Sequence, residues 1–325
     1  MSMAIRIHQT GGPEVMTWEK VDLPPPGEGE VRIRHTAIGL NFIDVYHRTG
    51  LYKLPLPAGL GQEGAGVVEQ LGSGVKELKV GDRVAYCGGP APGSYSEARN
   101  FPAARLVPLP EGIDEKRAAA MMLKGLTTWY LLRRTYQVKA GDTILVHAAA
   151  GGTGLLLCQW ARHLGATVIG TVGSRAKAEL AAAFGCTHTI VTGEEDFSSA
   201  VQELTNGAGV PVVYDSVGRD TFARSLDCLR PLGMMVSFGQ SSGSVPPFEV
   251  ATLAAKGSLF LTRPSLFAYI AKREELLAGA KEMFDLVQKG ALKIEVRQTY
   301  PLTEVAQAHR DLEARKTTGS TVLLP

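Results

Sequence analysis

Residues 143–165 read TILVHAAAGGTGLLLCQWARHLG, and the way this stretch divides decides the fold. Ile144, Leu145 and Val146 make a short apolar, partly β-branched run that suits a buried parallel strand. The run breaks at Ala149-Ala150-Gly151-Gly152-Thr153-Gly154, and a helix-like segment, 154–164, follows. Against the pattern G-x-G-x-x-G, Ala149 stands in the first place, and Gly151 and Gly154 hold the other two. Gly151 lets the backbone approach a pyrophosphate, and Gly154 lets the helix pack closely on its strand. The helix start turns unpaired N–H groups and the positive end of its dipole toward the phosphates. A tight turn that binds nothing would account for the glycines alone. The strand before them, the helix after them and a second strand-like run at 167–172 together predict a dinucleotide site.

The second strand says which dinucleotide. NAD sites place an acidic residue about 20 residues on, where it bonds the ribose 2′-hydroxyl. Here Gly173 and Ser174 stand at that point, with no Asp or Glu expected nearby, and Arg175 and Lys177 follow at once. Ser174 can hydrogen-bond a 2′-phosphate and the two cations can neutralise it. Cations at a helix start work against the helix dipole, so solvation alone is a poor reason for them. The expectation is NADPH.

A chain of 325 residues has room for two domains, each with its own core. With 45% hydrophobic and 20% charged residues it reads as a globular protein, and a net charge of +2 offers no general attraction to nucleic acid or acidic membranes. Cys87, Cys158, Cys186 and Cys228 are far apart, with no C-x-x-C spacing, and read as free core thiols. The N-terminus runs straight into strand-like sequence, and no apolar run approaches the ~20 residues of a membrane span. A cytoplasmic protein is expected.

Residues 1–125 carry short strand-like runs (4–8, 31–37, 66–71, 83–86) split by glycine and proline, as in an irregular β-rich barrel or sandwich. From 126 to 264 strands (143–147, 167–172, 189–191, 210–215, 234–238, 258–261) alternate with helices (154–164, 175–184, 197–205, 221–229). That alternation predicts an α/β unit, a parallel sheet covered on both faces. Its ligands sit beyond the C-terminal strand ends, where Ser216 and the run Phe238-Gly239-Gln240-Ser241 fall. After Pro264 come a helical stretch (267–288), a strand-like run (294–299), a helix (302–316) and a last strand (321–324). These are too few for a third domain and are expected to complete the first.

With these residues in view, the chain resembles the medium-chain dehydrogenase/reductase superfamily along nearly its whole length. Within it, the chain is similar to the zinc-free NADPH:quinone oxidoreductases, the group of zeta-crystallin, and above all to the bacterial ones. The likeness rests on Gly141-Asp142, Leu145, Ala149 to Gly152, Gly154, Gln159 and Arg162, and on the runs IGLNFIDVYHRTGLY (38–52), PAGLGQEGAGVV (57–68), LKGLTTWYLL (123–132), VYDSVG (213–218) and VSFGQSSG (236–243). The fold it implies is a GroES-like β-rich catalytic domain, 1–125 and 265–325, with a doubly wound Rossmann domain, 126–264. Zinc-dependent relatives have a cysteine where Asn41 stands and a histidine where Gln62 stands, and neither replacement is a good zinc ligand. Their cluster of four cysteines after Cys87 is missing too, so no metal site is expected.

The resemblance also implies site residues. Asn41, Tyr46, Lys124 and Thr127 belong near the nicotinamide and its ribose. Ala150, Gly151, Gly152 and Thr153 belong at the pyrophosphate, and Gly173, Ser174, Lys177 and Arg175 at the 2′-phosphate. Ser216, Phe238, Gly239, Ser241 and Arg263 are further cofactor contacts. Thr192 stands where the group often has an adenine-side tyrosine, and Arg315 or Lys316 replaces a lysine many members carry after the last glycine. Tyr46 and Tyr52 are the residues to wall an acceptor pocket, stacking on a quinone or giving a proton. The edge strand 258–261 pairs with its copy in relatives, which implies a homodimer. Quinone reduction needs no metal, since a quinone is already a strong electron acceptor whose reduced oxygens water can protonate. An enone or alkenal reductase is the nearest rival. A protein of another class, NADPH-regulated RNA-binding or structural, is the other, and the charge balance speaks against RNA.

Overall fold

The computed structural model describes all 325 residues, which divide into two compact units. One comprises Met1–Leu126, Ile270–Lys289 and Lys293–Pro325; the other comprises Thr127–Tyr269 and Gly290–Leu292.

In the second unit six parallel strands form one sheet. Thr143–Val146 lies in the middle, flanked by Thr167–Val172 and then His188–Val191 on one side, and by Val210–Asp215, Leu229–Ser237 and Phe260–Thr262 on the other. Numbered in chain order this is 3-2-1-4-5-6, the doubly wound arrangement whose order reverses beside the first strand. Val210–Asp215 is buried along its whole length, as a strand covered on both faces must be. Leu145, Ile169, Val213, Met235, Phe197 and Phe222 pack together in its core.

The first unit is mainly antiparallel. The long strand Glu30–Leu40 pairs with Glu63–Leu71, Ala98–Pro102 and the C-terminal Ser320–Leu324. Val296–Pro301 runs parallel to that last strand, and a separate three-stranded sheet joins Met16–Val21, Ser2–Ile7 and Ala58–Gly59. Gly66 is required inside the sheet, because a Cβ there would stand 1.9 Å from the Arg34 carbonyl oxygen.

Several sequence expectations change in detail. The stretch 267–288 is two helices, Leu266–Tyr269 and Arg273–Gln288, because the chain turns between them. The stretch 302–316 is a 3-10 turn, Leu302–Glu304, followed by the helix Val305–Glu313, and it stops before Arg315, whose φ is 59°. The helix expected at 221–229 is only Phe222–Asp227, since the chain enters Leu229–Ser237 early. The edge strand is three residues, Phe260–Thr262, rather than 258–261; Ser258 sits at φ 56°, outside strand geometry. The helices Phe42–Thr49 and Glu115–Tyr130 add to the elements that the sequence pattern announces. No helix is long and apolar enough to cross a membrane.

Candidate active site

Strand Thr143–Val146 ends on His147, whose buried ring is wedged between Thr171 Oγ1, 2.8 Å from Nδ1, and Ser225 Oγ, 2.8 Å from Nε2. Desolvation holds its pKa below the usual histidine value. The ring therefore stays neutral and ties the end of the first strand to the second strand and to the helix Phe222–Asp227, just ahead of the glycine-rich turn. Ala148 then takes φ 53°, an uncommon conformation for a residue with a side chain. The Ala149 N–H donates to the Thr171 carbonyl (3.0 Å), closing the turn on the second strand. Gly154 lies so near this turn that a Cβ would stand 2.2 Å from the Ala148 carbonyl oxygen and 2.8 Å from two backbone carbons of Ala149.

The helix Gly152–His163 begins here, and no side chain caps it. The helices Arg175–Ala183 and Phe197–Leu204, which follow the next two strands, differ, because Ser174 and Asp196 each accept an N–H of their first turn. Of these three, the helix at the glycine-rich turn alone leaves its start to an outside acceptor. With Gly151, Gly152 and Thr153 all partly exposed, this suits a pyrophosphate.

The second strand ends in Gly173 and Ser174, both exposed, and a Cβ on Gly173 would meet nothing within 4 Å. Lys177 follows, half-buried, one turn into the helix. Arg175 is already engaged, since Glu194 takes its guanidinium at 3.0 Å. That pair is a correction to the reading that no carboxylate is near. The parallel register sets Val172 beside Val191, so the turn after each strand brings 173–175 and 192–194 together. Both side chains are exposed, Arg175 the more so, and the pair adds little stability. With Arg175 so engaged, the 2′-phosphate contacts expected from the sequence reduce to Ser174 and Lys177. Replacing Lys177 by alanine is expected to weaken NADPH about tenfold while leaving NADH within about twofold, the scale of one charge-assisted contact; fluorescence titration of both cofactors checks this.

On the other side of the sheet's switch point, buried Asp215 organises the next strand end. Its Oδ1 accepts the N–H groups of Val217 (2.7 Å) and Gly218 (3.1 Å), and its Oδ2 accepts the Thr221 hydroxyl (2.8 Å). The turn starting at Ser216 is thereby held against the end of Leu229–Ser237. The Ser241 N–H donates to the Ser216 carbonyl at 3.1 Å, and a Cβ on Gly239 would meet that same carbonyl oxygen at 2.7 Å. Phe238 and Ser216 are half-buried and Ser241 exposed. Arg263 donates to the Ser237 carbonyl (2.8 Å), so it braces this strand end.

In the first unit, Asn41 and Lys124 belong to one buried polar group around Glu63, which is fully buried. Glu63 Oε2 accepts from Asn41 Nδ2 (2.7 Å) and lies 3.4 Å from Lys124 Nζ, and Oε1 accepts the Leu123 N–H (2.7 Å). Lys124 also donates to the Leu40 carbonyl at 3.2 Å. Tyr46 and Tyr52 meet edge to face, centroids 5.1 Å apart, with Phe42 behind Tyr46 at 5.6 Å. Tyr46 is buried and Tyr52 partly exposed, which makes an aromatic wall on one short helix and the turn after it. Arg315 and Lys316 lie in this unit and are exposed; Lys316 pairs with Asp311 at 3.5 Å. Thr127, buried, follows Lys124 by one turn of the helix Glu115–Tyr130. Burial pushes the Cys87 thiol up, and the Glu63 carboxylate adds to the effect, so this cysteine holds its proton. No group of three or more His, Cys, Asp or Glu is placed to hold a metal ion.

Known proteins carry the same pieces. Residues 27–111 match the alcohol dehydrogenase GroES-like domain family and 152–277 the zinc-binding dehydrogenase family. A quinone oxidoreductase of Pseudomonas aeruginosa is 54% identical over the whole of both chains. The chain belongs to the quinone oxidoreductases of the medium-chain dehydrogenase/reductase superfamily. The Escherichia coli quinone oxidoreductase, solved in complex with NADPH, superposes with a TM-score of 0.97 at 49% identity, covering 99% of this chain and 100% of that one. A 2-haloacrylate reductase of a Burkholderia species is 49% identical, over 100% of this chain and 99% of its own. The turn, the helix start and the strand end described above have chemistry that suits such a cofactor.

Four functional side chains lie beyond the sequence reading. Asp44 sits at the third position of a helix behind Asn41, a capping-box spacing that could have found it. Glu63 is a lone acid among glycine, alanine and valine, which signals a buried charge. Asp215 ends an all-apolar strand and points to a turn. Glu194 carries no signal, because only the sheet register brings it to Arg175.

Proposed function

We propose that this protein reduces quinones with electrons from NADPH, without a metal. One observation carries the reading. The 12-residue helix at the glycine-rich turn has a start that no side chain caps, followed in the fold by Ser174 and Lys177 where a 2′-phosphate would lie. NADPH, when bound, supplies the hydride and both electrons. The chain's residues bind and orient. First-turn N–H groups of Gly152–His163 hold the pyrophosphate, Ser174 and Lys177 hold the 2′-phosphate, and the Ser216 and Phe238–Ser241 turns border the cofactor. Asn41, Thr127 and Lys124 orient the nicotinamide end, and Tyr46 and Tyr52 wall the acceptor. The reduced oxygens of a quinone are weakly basic, so solvent protonates them and no strong acid is needed.

NADPH oxidation followed with 1,4-benzoquinone, 9,10-phenanthrenequinone and a simple enone in parallel tests this. Chelator-insensitive quinone turnover well above the enone supports it, and inert quinones sink it. The enone reading keeps a specific support in the 2-haloacrylate reductase at 49% identity, whose substrate is an activated alkene.

We also infer a homodimer through the edge of the Rossmann sheet. Phe260 is 56% exposed and Leu232 67%, on the strand Phe260–Thr262, which pairs on one side only, and on its neighbour. An apolar open edge calls for a partner, and a second copy supplies a matching one. Phe260→Lys is expected to give a monomer by sedimentation; a wild-type monomer overturns the inference. Four buried cysteines, all unpaired, suit the cytoplasm, where this reading places the protein.

A further inference from the structure

Behind Asn41 lies a chain of buried side chains that the reaction does not consume. Arg48, 1% exposed, donates Nη1–H to His309 Nδ1 (3.0 Å) and makes a two-pronged pair with Glu313 at 2.9 and 2.8 Å. An arginine is always a donor, so His309 Nδ1 accepts and the ring proton sits on Nε2. That proton faces the Tyr95 hydroxyl oxygen at 3.1 Å, which leaves the Tyr95 hydrogen to go to Asp44 Oδ2 at 2.8 Å. The same Oδ2 accepts the Asn41 backbone N–H at 2.9 Å. The direction of every bond is thus set from the partly exposed Glu313 inward. Asp44 is the end of the line: it is fully buried, and its other oxygen, Oδ1, has no partner.

We propose that Asp44 is a positioning residue whose ionised carboxylate locks Asn41 in place for the cofactor, and whose protonation releases it. This rests on the reading that Asn41 serves the nicotinamide end. Asn41 is held at its carboxamide by Glu63, with a longer bond to the Gly39 carbonyl (3.4 Å), and at its backbone by Asp44, where the helix Phe42–Thr49 begins. A bond from an N–H to a carboxylate is roughly twice as strong as one to a neutral acceptor, so protonation loosens the backbone hold only. Arg48 does not give up its proton, so the chain does not conduct protons from Glu313, and its role is to hold rather than to relay.

Asp44 is also the member of this cluster that titrates near neutrality. Desolvation raises its pKa to about 7, against the bonds from Asn41 and Tyr95 and the charge of Lys124, which lower it; Glu63 adds to the rise. Burial, then Arg48, lowers His309 to about 3, and burial lowers His47, on the same helix, to about 4. Both stay neutral across the range. Tyr95 is pushed up by burial and by Asp44 and keeps its proton. A carboxyl raised in the fold takes up protons there before the unfolded chain does, so ionising it costs stability as pH rises toward 7.

Asp44→Asn mimics the protonated form. Wild-type kcat/KM for a quinone is expected to fall below pH 7, about tenfold per pH unit at the steepest, and the variant to be low and flat from pH 6 to 8.5. At pH 8 the variant is expected to unfold at no lower urea concentration than wild type, so activity and stability part company. In the protein without cofactor, amide-exchange protection over residues 39–50, corrected for intrinsic rate, is expected to drop roughly threefold from pH 8 to 6 in wild type and not in the variant. Tyr95→Phe, which removes a bond to the ionised form, should move the acidic limb to higher pH. Should both variants keep the wild-type pH profile and exchange response, the proposal is overturned. If the exchange response is present but no quinone turns over at any pH, the functional reading fails while the coupling of Asp44 to Asn41 stands.

Discussion

Replacing Gly154 by valine is expected to weaken NADPH binding roughly 100-fold and to cost about 3 kcal/mol of stability, the upper end of overpacking at a close contact. Everything a Cβ would meet here is backbone: the Ala148 carbonyl oxygen at 2.2 Å and two Ala149 carbons at 2.8 Å. No rotamer relieves such a contact, so the helix Gly152–His163 must lift off the turn. Its first-turn N–H groups then leave the place where they meet the pyrophosphate. The turn has little room to yield, because the Ala149 N–H is bonded to Thr171 and Ala148 already stands at positive φ. Gly173→Ala is the control. Its Cβ meets nothing within 4 Å, so stability should stay within about 0.5 kcal/mol of wild type. Urea unfolding and fluorescence titration with NADPH measure both variants. Equal affinity in Gly154→Val and wild type would show that the turn does not bind the cofactor.

The role of Gly154 is legible in the sequence, and the reason is local. A strand, a turn and a helix that all lie within 143–165 meet through their own backbone, so sequence spacing and spatial spacing nearly coincide. The same holds for the alternation that gives the parallel sheet and for Ser174 at the end of its second strand. The first unit is different. Its pairings are long-range: Glu30–Leu40 meets Glu63–Leu71, Ala98–Pro102 and Ser320–Leu324, and no short pattern announces which runs will be neighbours. Four strand-like runs are readable there, yet the helix that carries Tyr46, and the acid that holds Asn41, are not. Arg175 shows the same limit in the second unit. Its sequence neighbours point to a phosphate ligand, and a carboxylate from the adjoining strand's turn, 19 residues on, takes it instead.

Glu63→Ala is expected to cost about 3–5 kcal/mol, the range for breaking a buried ion pair by removing one partner. The carboxylate is fully buried and serves three donors: Asn41 Nδ2, the Leu123 N–H and Lys124 Nζ. It reaches them across Gly39, where a Cβ would stand 2.2 Å from its Oε2 and 2.2 Å from the Ala119 carbonyl oxygen. Truncation leaves the buried Lys124 ammonium short of its counter-charge and two donors without their acceptor, and each loss is a desolvation cost that water is poorly placed to repair. Glu63→Gln keeps the shape and one acceptor oxygen and should cost clearly less. Lys124→Met alone removes the charge that needs neutralising but leaves the carboxylate with two hydrogen bonds. The double variant Glu63→Gln/Lys124→Met should therefore be more stable than the sum of the single losses implies, by about 1–3 kcal/mol of coupling for residues in contact. Urea midpoints of the four proteins measure the cycle, and additivity within about 0.5 kcal/mol would mean that the pair is not coupled. The functional cost follows from the same bonds. Once Glu63 no longer holds the Asn41 carboxamide, that group keeps only its longer bond to the Gly39 carbonyl at 3.4 Å, so the alanine variant should lose activity as well as stability; and because Glu63 adds to the rise of Asp44, the acidic limb of what activity remains should move to lower pH.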